Sequence, residues 1–427
     1  MAQTRRIGMQ NDFARLPNAP RFSPHHYETQ VMNQQTLLGI YEKIEALITR
    51  LPGPLQKAIL QELRPIKQIF LAQRPGRLAL LGEANANASA LVSALLGSEL
   101  TLIAPQADPG WINYEQRLKG AFRVLDARRL NQTSLSWNDL ARALSEEDPD
   151  VILFLVGGTA PTDLSFECEQ ATRVLDFLHQ RFQKRVPLIG VVDLPAATSP
   201  EIAERRRTEL QGWLSSQPAL ASHFVRAIAI SSFVRFRLDG SLDIERDERR
   251  NIIELAELMT RELPDDAQVE MARLVGAKEV QKDLSNRLIR AVTAMSAAIG
   301  AQPIPLADFP ILTTLQFMMV AGVMHISGRE LSLKAAGEFV GALGMNIGVG
   351  MVFREGARAA VKLLPGWGNA ISGGVAAAGT YGIGRAASAY FIEGISLREV
   401  RKLFRRKRRN EIRHLKSEKK SQADSGE

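Results

Sequence analysis

The first 26 residues are polar and contain several prolines, a pattern that predicts a disordered arm. Apolar positions then recur at helical spacing, first Leu37, Ile40, Ile44, Leu47 and Ile48 and then, past Pro52-Gly53-Pro54, Leu55, Ile59, Leu63, Ile66 and Phe70. That spacing predicts two amphipathic helices, a helical segment over 27–75. From 76 to 265 the pattern changes to short, largely apolar runs, at 78–81, 122–125, 151–156, 187–192 and 225–230, with helical patterns such as 171–181 and 201–214 between most of them. Continuous apolar runs alternating with helices predict strands buried on both faces, a doubly wound, mostly parallel α/β sheet. Residues 266–300 carry a long amphipathic pattern and predict a connector helix. Beyond Pro303 the composition shifts to Gly, Ala, Met and Ile as far as 395, predicting an all-α domain, and 396–427 form a basic tail.

The helical domain contains three apolar stretches. Residues 311–326 are uncharged, 335–353 hold only Glu338 as a formal charge, and 363–384 lie uncharged between Lys362 and Arg385. A membrane-spanning helix needs about 20 such residues. Small residues recur every four positions, as Ala370, Gly374, Ala378 and Gly382, and further pairs are Gly337 with Gly341 and Gly344 with Gly348. A glycine inside a helix costs about 1 kcal/mol relative to alanine, so the repeats predict helices that approach backbone to backbone. Two readings follow, a membrane-inserted or membrane-docked set of hairpins, and a tightly packed soluble helical core. The former is integral through 304–390 if the stretches span.

Charge bears on that choice. The formal net charge is +8, and from residue 398 onward twelve Lys/Arg stand against five Asp/Glu, so the basic character belongs to the tail. The cluster Arg401, Lys402, Arg405, Arg406, Lys407, Arg408 and Arg409 beside apolar stretches predicts contact with anionic lipid on the cytoplasmic side of a membrane. The body is nearly neutral and the cluster lacks interleaved aromatics, so a nucleic-acid binder acting through the basic tail is the weaker alternative. Self-association and an unidentified protein partner are left open. The single cysteine, Cys168, excludes an internal disulfide, and the acidic neighbours Glu167 and Glu169 argue against a nucleophilic thiolate. No apolar run near the start has the length of a secretory signal, so no export is expected. No histidine shows metal-ligand spacing, and no metal site is expected.

The strand at 78–81 runs into Gly82-Glu83-Ala84-Asn85-Ala86-Asn87-Ala88-Ser89. Against the phosphate-binding pattern G-x-x-x-x-G-K-[ST], Gly82 and Ser89 match, Asn87 replaces the second glycine, and Ala88 replaces the lysine. The loop and the following helix, Ala90 to Gly97, resemble the start of the first helix in Era-type GTPases. The resemblance implies a P-loop GTPase-like α/β domain in which Ser89 would ligate magnesium. It also places the D-x-x-G signature at Asp126-Ala127-Arg128-Arg129, the guanine-reading N-K-x-D at Val192-Asp193-Leu194-Pro195, and the last base loop at Ser231-Ser232-Phe233. Each is eroded: without the lysine no fixed cation meets the β- and γ-phosphates, and Asn87 places a Cβ where a phosphate would approach. The reading is a pseudo-GTPase without catalytic residues or cofactor, with remnant positions Gly82, Asn87, Ala88, Ser89, Asp126, Asp193 and Ser231. The alternative is a divergent GTPase using GTP and magnesium, with Arg128 or Arg129 reaching into the empty lysine position. Against that stands plain surface charge for two adjacent loop arginines. The runs from Gln302 to Asp308, Leu312 to Met319 and Leu364 to Asn369 resemble the bacterial YcjF-like domain of unknown function, which implies a membrane-associated helical domain behind a GTPase domain.

Overall fold

The computed structural model describes residues 73–98, 110–116, 120–128, 136–158, 163–238, 240–301, 308–343 and 368–402, with scattered positions between 42 and 67. The expectations for the arm at 1–26, for most of the helical segment at 27–75, for Gly344 and Gly348, for Arg129 and for Arg405, Arg406, Lys407, Arg408 and Arg409 lie outside the described residues. The chain divides into Met1–Val31 and Met32–Glu427, and every described residue belongs to the second unit.

Strands and helices alternate as β1 (Gly76–Gly82), α1 (Ala88–Leu96), β2 (Ile112–Gln116), β3 (Gly120–Asp126), α2 (Trp137–Glu146), β4 (Val151–Gly157), α3 (Ser165–Phe182), β5 (Leu188–Asp193), α4 (Pro200–Ser216), the short α5 (Pro218–Ala221) and β6 (Phe224–Ile230). The strands form one sheet in the order β2-β3-β1-β4-β5-β6, parallel throughout except for β2, which runs antiparallel to β3. Successive strand side chains point to opposite faces, so a continuous apolar run supplies two cores at once. Ala79, Leu81, Ile152, Phe154 and Val192 face α2, α3 and α4 through Leu140, Leu144, Val174, Leu178 and Leu214. Leu78, Leu80, Leu153, Leu155, Ile189 and Val191 face the other way onto Leu91 and Leu95 of α1. The same face is covered by Leu255 and Met259 of α6 (Ile252–Glu262) and Met271 of α7 (Asp265–Val275).

At the N-terminal edge of the sheet, fully buried Asp150 accepts hydrogen bonds from Arg74 Nη1 and Nη2 at 2.7 and 2.8 Å and from Arg77 Nη2 at 3.1 Å. Asp148 pairs with Arg77 and Lys184, both at 2.9 Å, and Arg74 also reaches Asp266 at 2.9 Å. Three cations thus meet three carboxylates, which satisfies a charge that could not otherwise be buried. Burial alone would raise the Asp150 carboxyl, but the hydrogen bonds of Arg74 and Arg77 hold it below the usual carboxylate range.

The amphipathic stretch expected as one connector is two helices, because Gly276 in the left-handed region (φ 68°) ends α7 before α8 (Lys278–Gly300) begins. Gln281 Nε2 donates at 2.9 Å to Ala272 O, which also accepts from the Ala277 amide at 3.1 Å, and so ties the first turn of α8 to the end of α7. α7 belongs to two cores: Ala267, Met271 and Leu274 lie against the sheet, while Val269 and Ala272 join the helical core. That second core is built by α8, α9 (Asp308–Ile326), α10 (Leu333–Ala342) and α11 (Gly368–Phe391).

α8 and α11 run antiparallel and approach closely. A Cβ on Gly373 would lie 2.7 Å from Ala297 O, and one on Gly384 2.7 Å from Ile289 Cγ1 and 2.9 Å from Met319 Sδ. Between them Thr380 joins three helices, donating to Ser296 Oγ at 3.0 Å and accepting from Gln316 Nε2 at 3.0 Å. Small residues therefore do pack, but on a different face from the one the four-residue repeat suggests. Gly374 and Ala378 are exposed, a Cβ on Gly374 or Gly341 would meet open space, and Gly382 is half-buried. Gly337 does sit against an aromatic ring, with its Cβ direction 3.5 Å from Phe317. Ala370 belongs to α11. Among the described residues no helix is long and apolar enough to cross a membrane, so the integral form of the membrane expectation finds no spanning helix there. The apolar side chains of α9, such as Leu315, Met319, Val323 and Ile326, are buried in the helical core instead.

Candidate functional site

In an open α/β sheet the ligand crevice lies beyond the C-terminal ends of the strands, where neighbouring strands send their connections to opposite faces. Here that point lies at β1, between β3 and β4. The registers Leu80↔Asp126, Gly82↔Leu155 and Gly157↔Asp193 bring the remnant positions onto one edge of the sheet. Gly82, Asn87, Ala88, Ser89 and Asp126 surround the crevice, and Asp193 and Ser231 stand at the ends of β5 and beyond β6.

Gly82 is held by geometry. Its φ is 101°, and a Cβ there would run into the backbone of Leu155, whose carbonyl accepts the Glu83 amide at 2.8 Å. The loop then turns back through buried Ala86 into α1, whose N-cap is Asn87: its side chain accepts from the Ala90 amide at 3.0 Å. One of the free amides that would otherwise greet an anion is thereby used by the chain itself. Ala88 supplies no cation, and Ser89 is exposed on the first turn.

Arg128, one of the two loop arginines, is not plain surface charge. It is only 7% exposed. Its Nε and Nη2 grip Asp126 Oδ1 and Oδ2 at 2.8 and 2.7 Å, and its Nη1 donates to the carbonyls of Ala86 and, at 3.4 Å, Glu83. The guanidinium therefore sits between the end of β3 and the loop. Glu83 is also buried, and its carboxylate accepts from the Gly157 amide at 2.7 Å, fastening the loop to the end of β4. Glu83 carries no signal in the sequence, because it falls at a variable position of the loop pattern.

The residues that end β5 and follow β6 are likewise turned inward. Asp193 accepts from the Ser232 amide at 2.9 Å and from the Ser232 hydroxyl. Burial pushes its carboxyl above the usual range, against the lowering effect of those bonds. Ser231 exchanges backbone hydrogen bonds with Arg250 at 3.1 and 3.2 Å. Of the basic tail, Arg401 and Lys402 are exposed, with Arg401 Nε donating to Ala342 O. Among the described residues no group of three or more His, Cys, Asp or Glu side chains could hold a metal ion.

No family model matches the chain. Over 187 residues it is 29% identical to GTPase Der of Rhodopseudomonas palustris (strain TIE-1). The chain is GTPase-like. The match covers 41% of this chain and 39% of that relative, so the chain spans about two fifths of the length of the curated relative it matches. Solved structures with some likeness include Toc33 from Arabidopsis thaliana in complex with Mg2+ and GMPPNP, at 14% identity and a TM-score of 0.30, covering 54% of this chain and 95% of that one. A structure of an oligomerised bacterial dynamin pair, described as sensing and tethering membranes, gives 10% identity and a TM-score of 0.34, covering 89% and 78%.

A GTPase-like chain implies GTP with magnesium, and the residues present do not fit that pair. Among the described residues, Glu83 and Asp126 bring two carboxylates to the crevice and Arg128 one buried cation, a surplus of negative charge where a triphosphate would bring more. The carboxylate on the metal side is already bidentate to Arg128, and the lysine position is an alanine.

Proposed function

We propose that this chain is a pseudo-GTPase that works as a binding or assembly module, held at an anionic lipid surface on the cytoplasmic face of a bacterial membrane by its basic tail. The observation that carries the reading is the Arg128 guanidinium bound to Asp126 and to the loop carbonyls, in the crevice where nucleotide and metal would meet. A crevice closed by its own side chains leaves the outer surfaces as the means of action. The similarity to GTPase Der and the retained Gly82, Ser89 and Asp126 support descent from a nucleotide-binding ancestor. Those same features favour a second reading, a divergent GTP-binding protein in which Arg128 releases Asp126 and turns to the phosphates.

Titration with fluorescent GTP and ATP, with and without magnesium, separates the two. No saturable binding at micromolar protein is expected; saturable binding abolished by Ser89→Ala would overturn the pseudo-GTPase reading. Attachment is tested by sedimentation with vesicles. Binding to anionic vesicles that salt removes is expected, because surface charge is screened within about 10 Å at ~0.1 M salt. Equal binding to neutral vesicles would contradict a role for the tail.

A further inference from the structure

Arg128 is bound as a hard cation would be, by a carboxylate and two main-chain carbonyls. A second Asp-x-Arg repeats the arrangement atom by atom at the C-terminal end of α1, the helix that follows this loop. Arg249 Nε and Nη2 bind Asp247 Oδ1 and Oδ2 at 2.9 and 2.8 Å, the Arg249 amide meets Asp247 Oδ1 at 3.1 Å, and Nη1 donates to Ala94 O at 2.7 Å. In the first unit the Arg128 amide meets Asp126 Oδ1 at 3.3 Å and Nη1 reaches the loop that leads into α1. In both, an aspartate two residues earlier orients the guanidinium, so its remaining donor meets a backbone carbonyl with little entropy left to lose. One clamp grips the entry to α1 and the other its last turn, where the helix dipole favours a cation.

We propose that Arg128 is a tethered cation standing in place of a loop-bound metal ion, and that Arg128 and Arg249 together fix α1 and its loop in one position, so that this part of the domain does not switch. The proposal deepens the pseudo-GTPase reading and rests on it: a loop that must respond to a phosphate needs a ligand-dependent position, and a clamp at each end of α1 removes that freedom.

The experiment is a double-mutant cycle on the full chain, read by thermal unfolding in the absence of nucleotide. Asp126→Asn and Arg128→Met should each lower the midpoint, since each leaves a charged partner without its mate. The double variant should be no lower than the worse single, because the two act as a unit. Millimolar Mg2+ alone should raise the midpoint of Arg128→Met, whose Asp126 is uncovered, and leave the parent and the double variant unmoved. Additive losses, or a parent stabilised by Mg2+ as much as Arg128→Met, would overturn the clamp. Should Arg128→Met fail to fold, Arg128→Lys keeps the charge but loses the bidentate grip. Hydrogen exchange of the α1 amides in Arg128→Lys should then quicken about tenfold or more, the scale of one charge-assisted hydrogen bond; exchange as slow as in the parent would overturn the proposal. No nucleotide enters the cycle, so GTP binding by the parent would defeat the pseudo-GTPase reading while the measured coupling of Asp126 and Arg128 still stood, and additivity would defeat the clamp alone.

Discussion

Two adjacent glycines in α11 offer a controlled test of the helical core. Gly373→Ala places a methyl group 2.7 Å from Ala297 O and 3.1 Å from Ala301 Cβ, whereas Gly374→Ala places one in open space. Both substitutions bring the same gain in helix propensity, about 1 kcal/mol, so that contribution cancels between them. What remains is the steric cost at Gly373. The carbonyl there belongs to the α8 backbone and cannot rotate away, so α8 and α11 must part by several tenths of an ångström. Overpacking of this kind costs about 1–3 kcal/mol, and the two variants should differ by that amount. Gly374→Ala should be the more stable, at or slightly above the parent. At roughly 2–4 °C per kcal/mol for domains of this size, the midpoints should separate by several degrees. Thermal scans of the full chain would be paired with limited proteolysis, where Gly373→Ala should open cleavage sites after Pro303 while the α/β portion stays intact. Equal midpoints, or Gly374→Ala as the worse of the two, would refute the packing face assigned to α11.

Other expectations follow from buried charge and burial itself. Asp150→Asn leaves Arg74 and Arg77 facing a neutral amide at a fully buried position and should cost about 3–5 kcal/mol, read as a lower urea midpoint; a loss within about 0.5 kcal/mol would contradict the network's role. Burial, with a smaller contribution from Arg273, pushes His325 down to about 3. The unfolded chain then binds more protons than the folded one below about pH 6.5, so stability should be complete above that pH and decline as pH falls toward 3. His325→Gln should flatten the decline between about pH 7 and about pH 5, before the depressed carboxylates Asp148, Asp150 and Asp247 begin to titrate; an unchanged slope would contradict it. Burial, and secondarily Glu167 and Asp163, pushes the Cys168 thiol up to about 11, so a thiol reagent should label it only as the chain unfolds. Rapid labelling of the native protein would show the α3 packing to be wrong.

The parallel core of the sheet was legible because β1, β4 and β5 are buried on both faces and so read as apolar runs. β2 was not: Ile112–Gln116 is an edge strand with Asn113 exposed, and it carries neither a continuous nor a clean alternating pattern. The break at Gly276 was hidden because amphipathic spacing continues on both sides of it, and only the left-handed backbone distinguishes the two helices. The small-residue repeat misled for a geometric reason. A step of four residues drifts about 40° around a helix, so Ala370, Gly374, Ala378 and Gly382 do not share one narrow face. The contact with α8 is made by Gly373, Thr380 and Gly384, chosen by what Ile289, Ser296 and Ala297 present from the partner helix. Losses in the phosphate loop could be read directly, because the missing lysine is a missing letter. The occupation of Asp126 by Arg128 could not, since a buried clamp and two exposed charges share the letters Asp126-Ala127-Arg128-Arg129.

The central claim is that the crevice is closed by the chain's own side chains. Its most direct test is isothermal titration of the purified full chain with GTP and Mg2+, after the nucleotide content of the denatured protein has been assayed by chromatography. The account predicts no co-purifying nucleotide and no saturable heat at micromolar protein. A stoichiometric, magnesium-dependent isotherm, or a bound guanine nucleotide released on denaturation, would contradict it.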